Sequence, residues 1–482
     1  MSMADRIPPW LRPAAFLGSN SVTLTGAVLT TTSALIFLGF SLLEILGGAA
    51  VPPYAGIFFF LILPGFFVLG LVLMPTGALW RRHRLWKTGQ LPGIYPRIDL
   101  SQPMYRHAAG WVGVLTLVNV AIFGAASYRG IDYMDSAKFC GQTCHTVMQP
   151  EFTAYSNSPH QRVACVQCHI GPGAGWFVRS KLSGVRQVFA VTFHTYDTPI
   201  PVPVESLRPA RETCEQCHWP QLFEGDKVVV RTSYSDDEKN TPLTTVLVLK
   251  LGGGSGANAL GIHGHHLDSK APIEYVSTDR QRQVIPEVAH IDETGKRVVF
   301  DSTDAKPTAQ QLAGGEHRTM DCVDCHNRPS HTFQLPGPAV DQAISRGEIS
   351  ADVPFIKKKA VEALQASYPS RDAAAQGIAA SLYSFYQTSY PDVYRQKRAT
   401  VDAAVKEVQT IYLNNVFPAM KITWGTYPNN LGHQDSPGCF RCHDGNHTSA
   451  DGRTIPNDCN TCHTLLAVDE QNPKILTDLG MK

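Results

Sequence analysis

All twelve cysteines of this 482-residue chain fall in six short motifs, each with a histidine directly behind its second cysteine. The motifs are CGQTCH (140–145), CVQCH (165–169), CEQCH (214–218), CVDCH (322–326), CFRCH (439–443) and CNTCH (459–463). Cys-x-x-Cys-His is the attachment signature of c-type heme. Two thiols add across the porphyrin vinyl groups, and the adjacent histidine reaches the iron. Zinc ribbons pair Cys-x-x-Cys units without requiring a histidine after each. Disulfides, permitted outside the cytoplasm, do not explain the histidines either. The pattern therefore predicts covalent hemes on Cys140/Cys144, Cys165/Cys168, Cys214/Cys217, Cys322/Cys325, Cys439/Cys442 and Cys459/Cys462. Their first axial ligands are His145, His169, His218, His326, His443 and His463. The first motif, with three residues between its cysteines, departs from the strict spacing.

Three motifs lie within residues 140–218. A segment that short cannot build an ordinary side-chain core, so the macrocycles must serve as one. Without heme this stretch is expected to be unfolded.

Six-coordinate irons need a second ligand and leave no open position for a substrate. His160 in NSPH and His331 in CHNRPSH lie in short Pro-containing loops near a motif. His433 and His447 bracket the fifth motif, and His194 follows the predicted helix 176–192. All five are candidate sixth ligands. GIHGHH (261–266) is expected to supply one ligand, with His266 favoured. His290 and His317 read as ordinary histidines. Met148, in CHTVM, is a candidate thioether ligand, which raises a heme potential relative to two histidines, or a packing residue.

The charged fraction is only 17% and the formal net charge +1, which excludes a polybasic nucleic-acid binder. The low charge has a local origin. No charged residue occurs between Arg12 and Glu44, between Glu44 and Arg81, or from His107 to Tyr128. About 20 apolar residues span a bilayer core, so transmembrane helices are predicted near 22–46, 54–76 and 107–127. Residues 77–106 carry Arg81, Arg82, Arg84, Lys87, Arg97 and Arg106, and basic loops stay cytoplasmic. This puts the N-terminus inside, the turn 47–56 outside, and everything after residue 128 outside the inner membrane of a bacterium. The first run exceeds a signal-peptide core of about 7–15 residues, so the anchor should remain uncleaved. Glu44, near the outer end of its span, reads as an interfacial carboxylate rather than a proton carrier.

Beyond the third motif, 226–252 alternates β-branched and polar residues, and strand-like patterns continue to about 302. This β-rich insert is expected to shield heme edges. Helical periodicity covers 337–365, 371–389 and 391–416, broken at Pro354, Pro369 and Pro391. The predicted organisation is an anchor (1–128), a triheme domain (129–225), the insert (226–302) and a second triheme domain with a helical hairpin (303–482). Two propionates per heme would add roughly a dozen negative charges, many of which need Lys or Arg partners.

Residues 107–220 resemble the NapC/NirT family of membrane-anchored multiheme quinol dehydrogenases. The likeness rests on FGAASYRGIDYMDSAKFC, CHTVMQPEF, SPHQRVACVQCHIGPG, KLSGVRQVF, the DTPIP turn and RETCEQCH. The resemblance implies a mainly α multiheme cytochrome c that takes electrons from quinol at the outer membrane surface and passes them to periplasmic cytochromes or reductases. It implies that His145 and Met148 belong to the quinol-facing heme and that Lys181 lies near the quinol. Gln187 stands where an acidic residue is expected, so Asp132, Asp135 or Glu151 would have to accept protons. The chain departs from the family in its two additional anchor helices, its extra hemes and its long extension after 226. Those helices suit contact with partner membrane subunits, which leaves a relay subunit of a larger complex as an alternative role. A terminal reductase with one open iron is another.

Overall fold

The computed structural model describes residues 16–45, 58, 62–90, 101, 103–143, 145–171, 173–204, 207–223, 225–255, 258–292, 294–304 and 306–481. The turn 47–56, the side chain of Glu44, Cys144 and the side chain of His145 lie outside this set. The chain divides into two compact units, Met1–Thr143 and Cys144–Lys482.

The first unit contains helices α1 (Ser21–Ile45), α2 (Leu63–Lys87) and α3 (Pro103–Asp135). Ser21–Phe40 and Leu63–Lys87 are long and apolar enough to cross a membrane. Leu24, Val28 and Leu35 are 58%, 63% and 65% exposed, which a core helix of a soluble protein would not tolerate. α1 and α2 approach backbone to backbone. A Cβ on Gly26 would lie 2.8 Å from the Gly70 carbonyl oxygen, and one on Gly77 would lie 2.5 Å from Thr23 Oγ1. Small residues permit such contact between membrane helices, and Thr23 Oγ1 donates across it to the Met74 carbonyl at 3.1 Å. Of the predicted span 54–76, residues 54–57 and 59–61 lie outside the described set. α2 runs on through the basic segment to Lys87, because Arg and Lys are good helix formers and their heads can reach interfacial water.

The second unit opens with α4 (His145–Ser156) and α5 (Ala174–Thr192). Next come β1 (Lys227–Tyr234), β2 (Pro242–Leu249), α6 (Gly261–Leu267), β3 (Ile273–Ser277), β4 (Glu287–Ile291), β5 (Arg297–Ser302) and β6 (Glu316–Thr319). A helical segment holds α7 (Pro336–Ser345), α8 (Ile356–Gln365), α9 (Arg371–Ser389), α10 (Pro391–Gln396) and α11 (Arg398–Asn415). β7 (His447–Ser449) and β8 (His463–Glu470) follow.

The strands form two antiparallel sheets ordered β1-β2-β8 and β6-β3-β4-β5-β7. Each draws on strands from beyond residue 302, so the expected end of the insert is not a sheet boundary. β8 begins at the histidine of the sixth motif, and His463 pairs with Leu249 of β2. The strand direction of β2 thereby fixes where that histidine stands.

The helical segment has its own core. Ile378, Leu382 and Tyr386 recur every fourth residue on α9, and all are fully buried. They pack in one cluster with Leu364 of α8 and Val401, Val405 and Val408 of α11. Burying each such aliphatic side chain stabilises the fold by about 1.5–3 kcal/mol. The prolines mark the breaks: Pro354 precedes α8, Ser370 after Pro369 caps α9 by accepting from the Ala373 amide at 3.1 Å, and Pro391 opens α10. A smaller cluster of Val147, Phe417, Met420, Ile422 and Tyr427 packs with Val191, Tyr196 and Ile200. It joins α4 and α5 to the segment after α11.

Candidate heme sites

Three attachment motifs are built around single helical turns, Cys165–His169, Cys322–Cys325 and Cys459–Cys462; Gly438–Arg441 is a tighter 3₁₀ turn. A turn of helix sets residues three apart on one side, which suits two thiols meeting one porphyrin edge. Backbone bonds bring the histidine back over the turn: His218 N to Cys214 O at 2.8 Å, His326 N to Cys322 O at 2.8 Å and His443 N to Cys439 O at 3.0 Å. Asp321 caps the fourth motif reciprocally with Asp324, and the Asp458 side chain accepts from Asn460 N in the sixth.

The third motif departs from this pattern at Cys217. Its helix, Ala210–Cys214, ends at the first cysteine, so Cys217 falls in the turn beyond. The Cys217 amide donates to the Cys214 carbonyl at 3.1 Å, which keeps the two cysteines on one tight turn. Cys217 stays a candidate tether of the third motif.

Each of the five described motif histidines faces one other histidine. Ring centroids are 6.2 Å apart for His169 and His331, 6.2 Å for His218 and His160, and 6.5 Å for His326 and His263. They are 5.7 Å apart for His443 and His266 and 6.1 Å for His463 and His433. A metal bonded on both sides by imidazole nitrogens at about 2 Å places the centroids about 6 Å apart, since each centroid lies roughly 1 Å behind its nitrogen. The pairs therefore fit an iron between them. The other nitrogens of four of these rings agree. His266 Nδ1 donates to the Ile262 carbonyl at 2.7 Å, His331 Nδ1 to the Glu151 carbonyl at 3.0 Å and His443 Nδ1 to the Pro456 carbonyl at 2.6 Å. His160 Nδ1 makes a longer 3.4 Å contact with the Pro329 carbonyl. A ring that donates through Nδ1 keeps the Nε2 lone pair for a metal. Burial also lowers the pKa values of His169, His326 and His331, and that of His266 to about 4, which keeps these rings in the neutral form a ligand requires. Among the described residues no three His, Cys, Asp or Glu side chains gather to hold a bare ion. The histidines come in twos, as suits an iron whose other four positions belong to a porphyrin.

The cysteines of successive motifs lie near one another: Cys168 near Cys214, Cys214 near Cys322, Cys325 near Cys439 and Cys439 near Cys462. Motifs two to six thus neighbour one another in chain order.

Residues 102–208 match the model of the NapC/NirT cytochrome c family, N-terminal region. The cytochrome c-type protein ImcH of Geobacter sulfurreducens is 41% identical over 465 residues, covering 96% of this chain and 91% of that protein. The chain belongs to the NapC/NirT family of membrane-anchored multiheme cytochromes c. The cytochrome c-type protein NrfH of Wolinella succinogenes is 28% identical over 93 residues, 19% of this chain and 52% of that protein. No solved structure matches. As a family member the chain is an electron-transport protein anchored in a membrane, with covalently bound c-type heme.

Within this NapC/NirT cytochrome the paired histidines are held by charged neighbours. Arg328, 6% exposed, donates from Nη2 to both carboxylate oxygens of Glu151 at 3.0 and 2.9 Å. Its guanidinium lies 4.3 Å from the centre of the Tyr427 ring. Asp324, between the cysteines of the fourth motif, is buried and accepts from Tyr275 Oη at 2.6 Å and Arg318 Nε at 3.0 Å. Arg441, at the matching position of the fifth motif, donates to the carbonyls of Asp324 and Arg282, both at 2.7 Å.

Several expected residues stand elsewhere. His447 is buried with both nitrogens engaged, Nδ1 with Asp444 at 2.9 Å and Nε2 with the Ile285 carbonyl at 2.8 Å. Neither is left for an iron, so the sequence expectation of a ligand there is corrected. His194 is exposed with φ 54°; its ring neighbour is Tyr196 at 6.3 Å, and among the described residues no motif histidine faces it. His317 uses Nε2 on the Leu312 carbonyl at 3.0 Å. Glu151 is committed to Arg328, and one of its carboxylate oxygens lies 3.2 Å from His331 Nδ1, so it is not a free proton acceptor. Met148 and Lys181 are half-buried on α4 and α5. His263 was missed by the sequence reasoning, which sought one ligand in GIHGHH; the three-residue spacing of His263 and His266 was the available signal.

Proposed function

We propose that this cytochrome carries electrons from a quinol, menaquinol in particular, to periplasmic cytochromes or reductases. The facing imidazole pairs carry this reading, because two histidines on an iron close it to substrates and leave electron transfer as its chemistry. Covalent c-type hemes on the twelve cysteines supply the one-electron carriers. The chain's residues hold them: His169 with His331, His218 with His160, His443 with His266 and His463 with His433. Met148 is the candidate sulfur ligand at the first motif, and His194 remains a candidate there.

On this reading α1, α2 and α3 are three spans with the N-terminus in the cytoplasm, and the second unit works in the periplasm. Lys181 is proposed to hold a quinol oxygen through its Nζ. The order of motifs two to six supports a path that leaves at the sixth. The strands and helices after 226 then act as walls around it, with their outer faces available to soluble partners.

The test uses the purified chain in lipid nanodiscs with a reduced menaquinone analogue. Heme reduction by the quinol, slowed at least tenfold in Lys181→Met and unchanged with dithionite, is the expected result. Full reduction by dithionite with none by quinol would place quinol oxidation in another subunit and make this chain a relay.

A further inference from the structure

We propose that helix α6 serves two irons at once: His263 is the sixth ligand opposite His326, and His266 is the sixth ligand opposite His443. This rests on the heme reading above and goes beyond it, since the motif was expected to supply a single ligand.

The two rings point to different motifs, His263 to the fourth at 6.5 Å and His266 to the fifth at 5.7 Å. Residues three apart share one helix face, with Cβ atoms about 5–6 Å apart. His263 lies nearly parallel to its partner, at 9°. Its Nδ1 is buried and has no hydrogen-bond partner among the described residues, so no acceptor in the protein explains the ring's place, and His326 is the histidine it faces.

The helix is also seated for the purpose. Ile262 N and His263 N donate to the carbonyls of Lys250 and Leu251, both at 2.9 Å. Gly264 sits directly against the Gly253 carbonyl, where a Cβ would collide. Arg441 ties the fifth motif to the Asp324 carbonyl of the fourth at 2.7 Å. The two irons are thus held from both sides, by one helical turn on the distal side and by this clamp on the attachment side. The middle of the path becomes a rigid unit.

The experiment compares the full-length cytochrome with His263→Met, His265→Met and His266→Met. Intact mass first counts attached hemes; a wild-type chain without covalent heme would defeat the heme reading itself. In a redox titration, His263→Met and His266→Met should each move one heme to higher potential, the double variant two, and His265→Met none. An unchanged titration for either ligand variant, or a double variant that moves only one heme, overturns the proposal. If a variant does not accumulate, near-infrared magnetic circular dichroism of the wild type decides. Six bis-histidine hemes, or five beside one histidine–methionine heme, support the proposal, and any other count overturns it.

Discussion

His331 faces His169 at 6.2 Å on one side and donates from Nδ1 to the Glu151 carbonyl at 3.0 Å on the other. The loop after the fourth motif thereby sets a histidine opposite that of the second, and α4 steadies it. A backbone acceptor behind a ligating histidine fixes its tautomer and orientation. His331→Met is expected to change the spectrum and raise the potential of one heme, leaving the rest unaltered. Electron paramagnetic resonance and redox titration check this; an unchanged low-spin spectrum removes His331 from the ligand set.

Arg328 needs Glu151 more than His331 does. The guanidinium is almost wholly buried against Tyr427 and Phe333, and removing one member of a buried ion pair costs about 3–5 kcal/mol. Glu151→Gln should lower the unfolding free energy by about that amount while His331 keeps its backbone acceptor. Chemical denaturation followed by heme absorbance measures the loss, and a change below about 1 kcal/mol contradicts it.

Tyr275 donates to buried Asp324, and burial together with that carboxylate raises its pKa far above the ordinary value of 10.0. The folded protein therefore keeps this proton where the unfolded chain releases it. Its contribution to stability is complete below about pH 10 and falls as pH rises beyond it. In Tyr275→Phe the unfolding free energy should drop by about 1–2 kcal/mol at neutral pH, and its decline above pH 10 should be shallower. Denaturant midpoints between pH 8 and 11 test both.

Heme should matter unequally along the chain. Among the described residues of 145–218, Val147, Ala154 and Ala210 are the buried hydrophobic side chains, whereas α7 to α11 share a large aliphatic core. In a host that cannot attach heme, limited proteolysis should cut 145–218 early and spare 336–415. In the heme-loaded protein, Leu382→Ala should cost about 2–5 kcal/mol without loss of any heme signal.

The anchor gives a steric prediction. Gly70 meets the backbone of Gly26 and Thr30, so Gly70→Leu must force α1 and α2 apart. Cysteines placed at Thr30 and Leu69 should cross-link in the parent sequence and lose most of that cross-linking in the variant.

The sequence by itself determined the attachment chemistry. Thiols and first histidine lie within five or six residues, so a single turn contains the whole instruction, and the uncharged runs were equally local. Helix breaks at Pro354, Pro369 and Pro391 were legible for the same reason. The partner histidines were not legible. His447 and His331 look alike beside their motifs, yet the Ile285 carbonyl and Asp444 occupy one while the other faces the second motif's histidine. His263 and His266 read as rivals for one place until the fold set a different motif opposite each. Those outcomes depend on contacts between segments far apart in the chain, and only the packing of β2, α6 and the loop after the fourth motif brings such segments within reach.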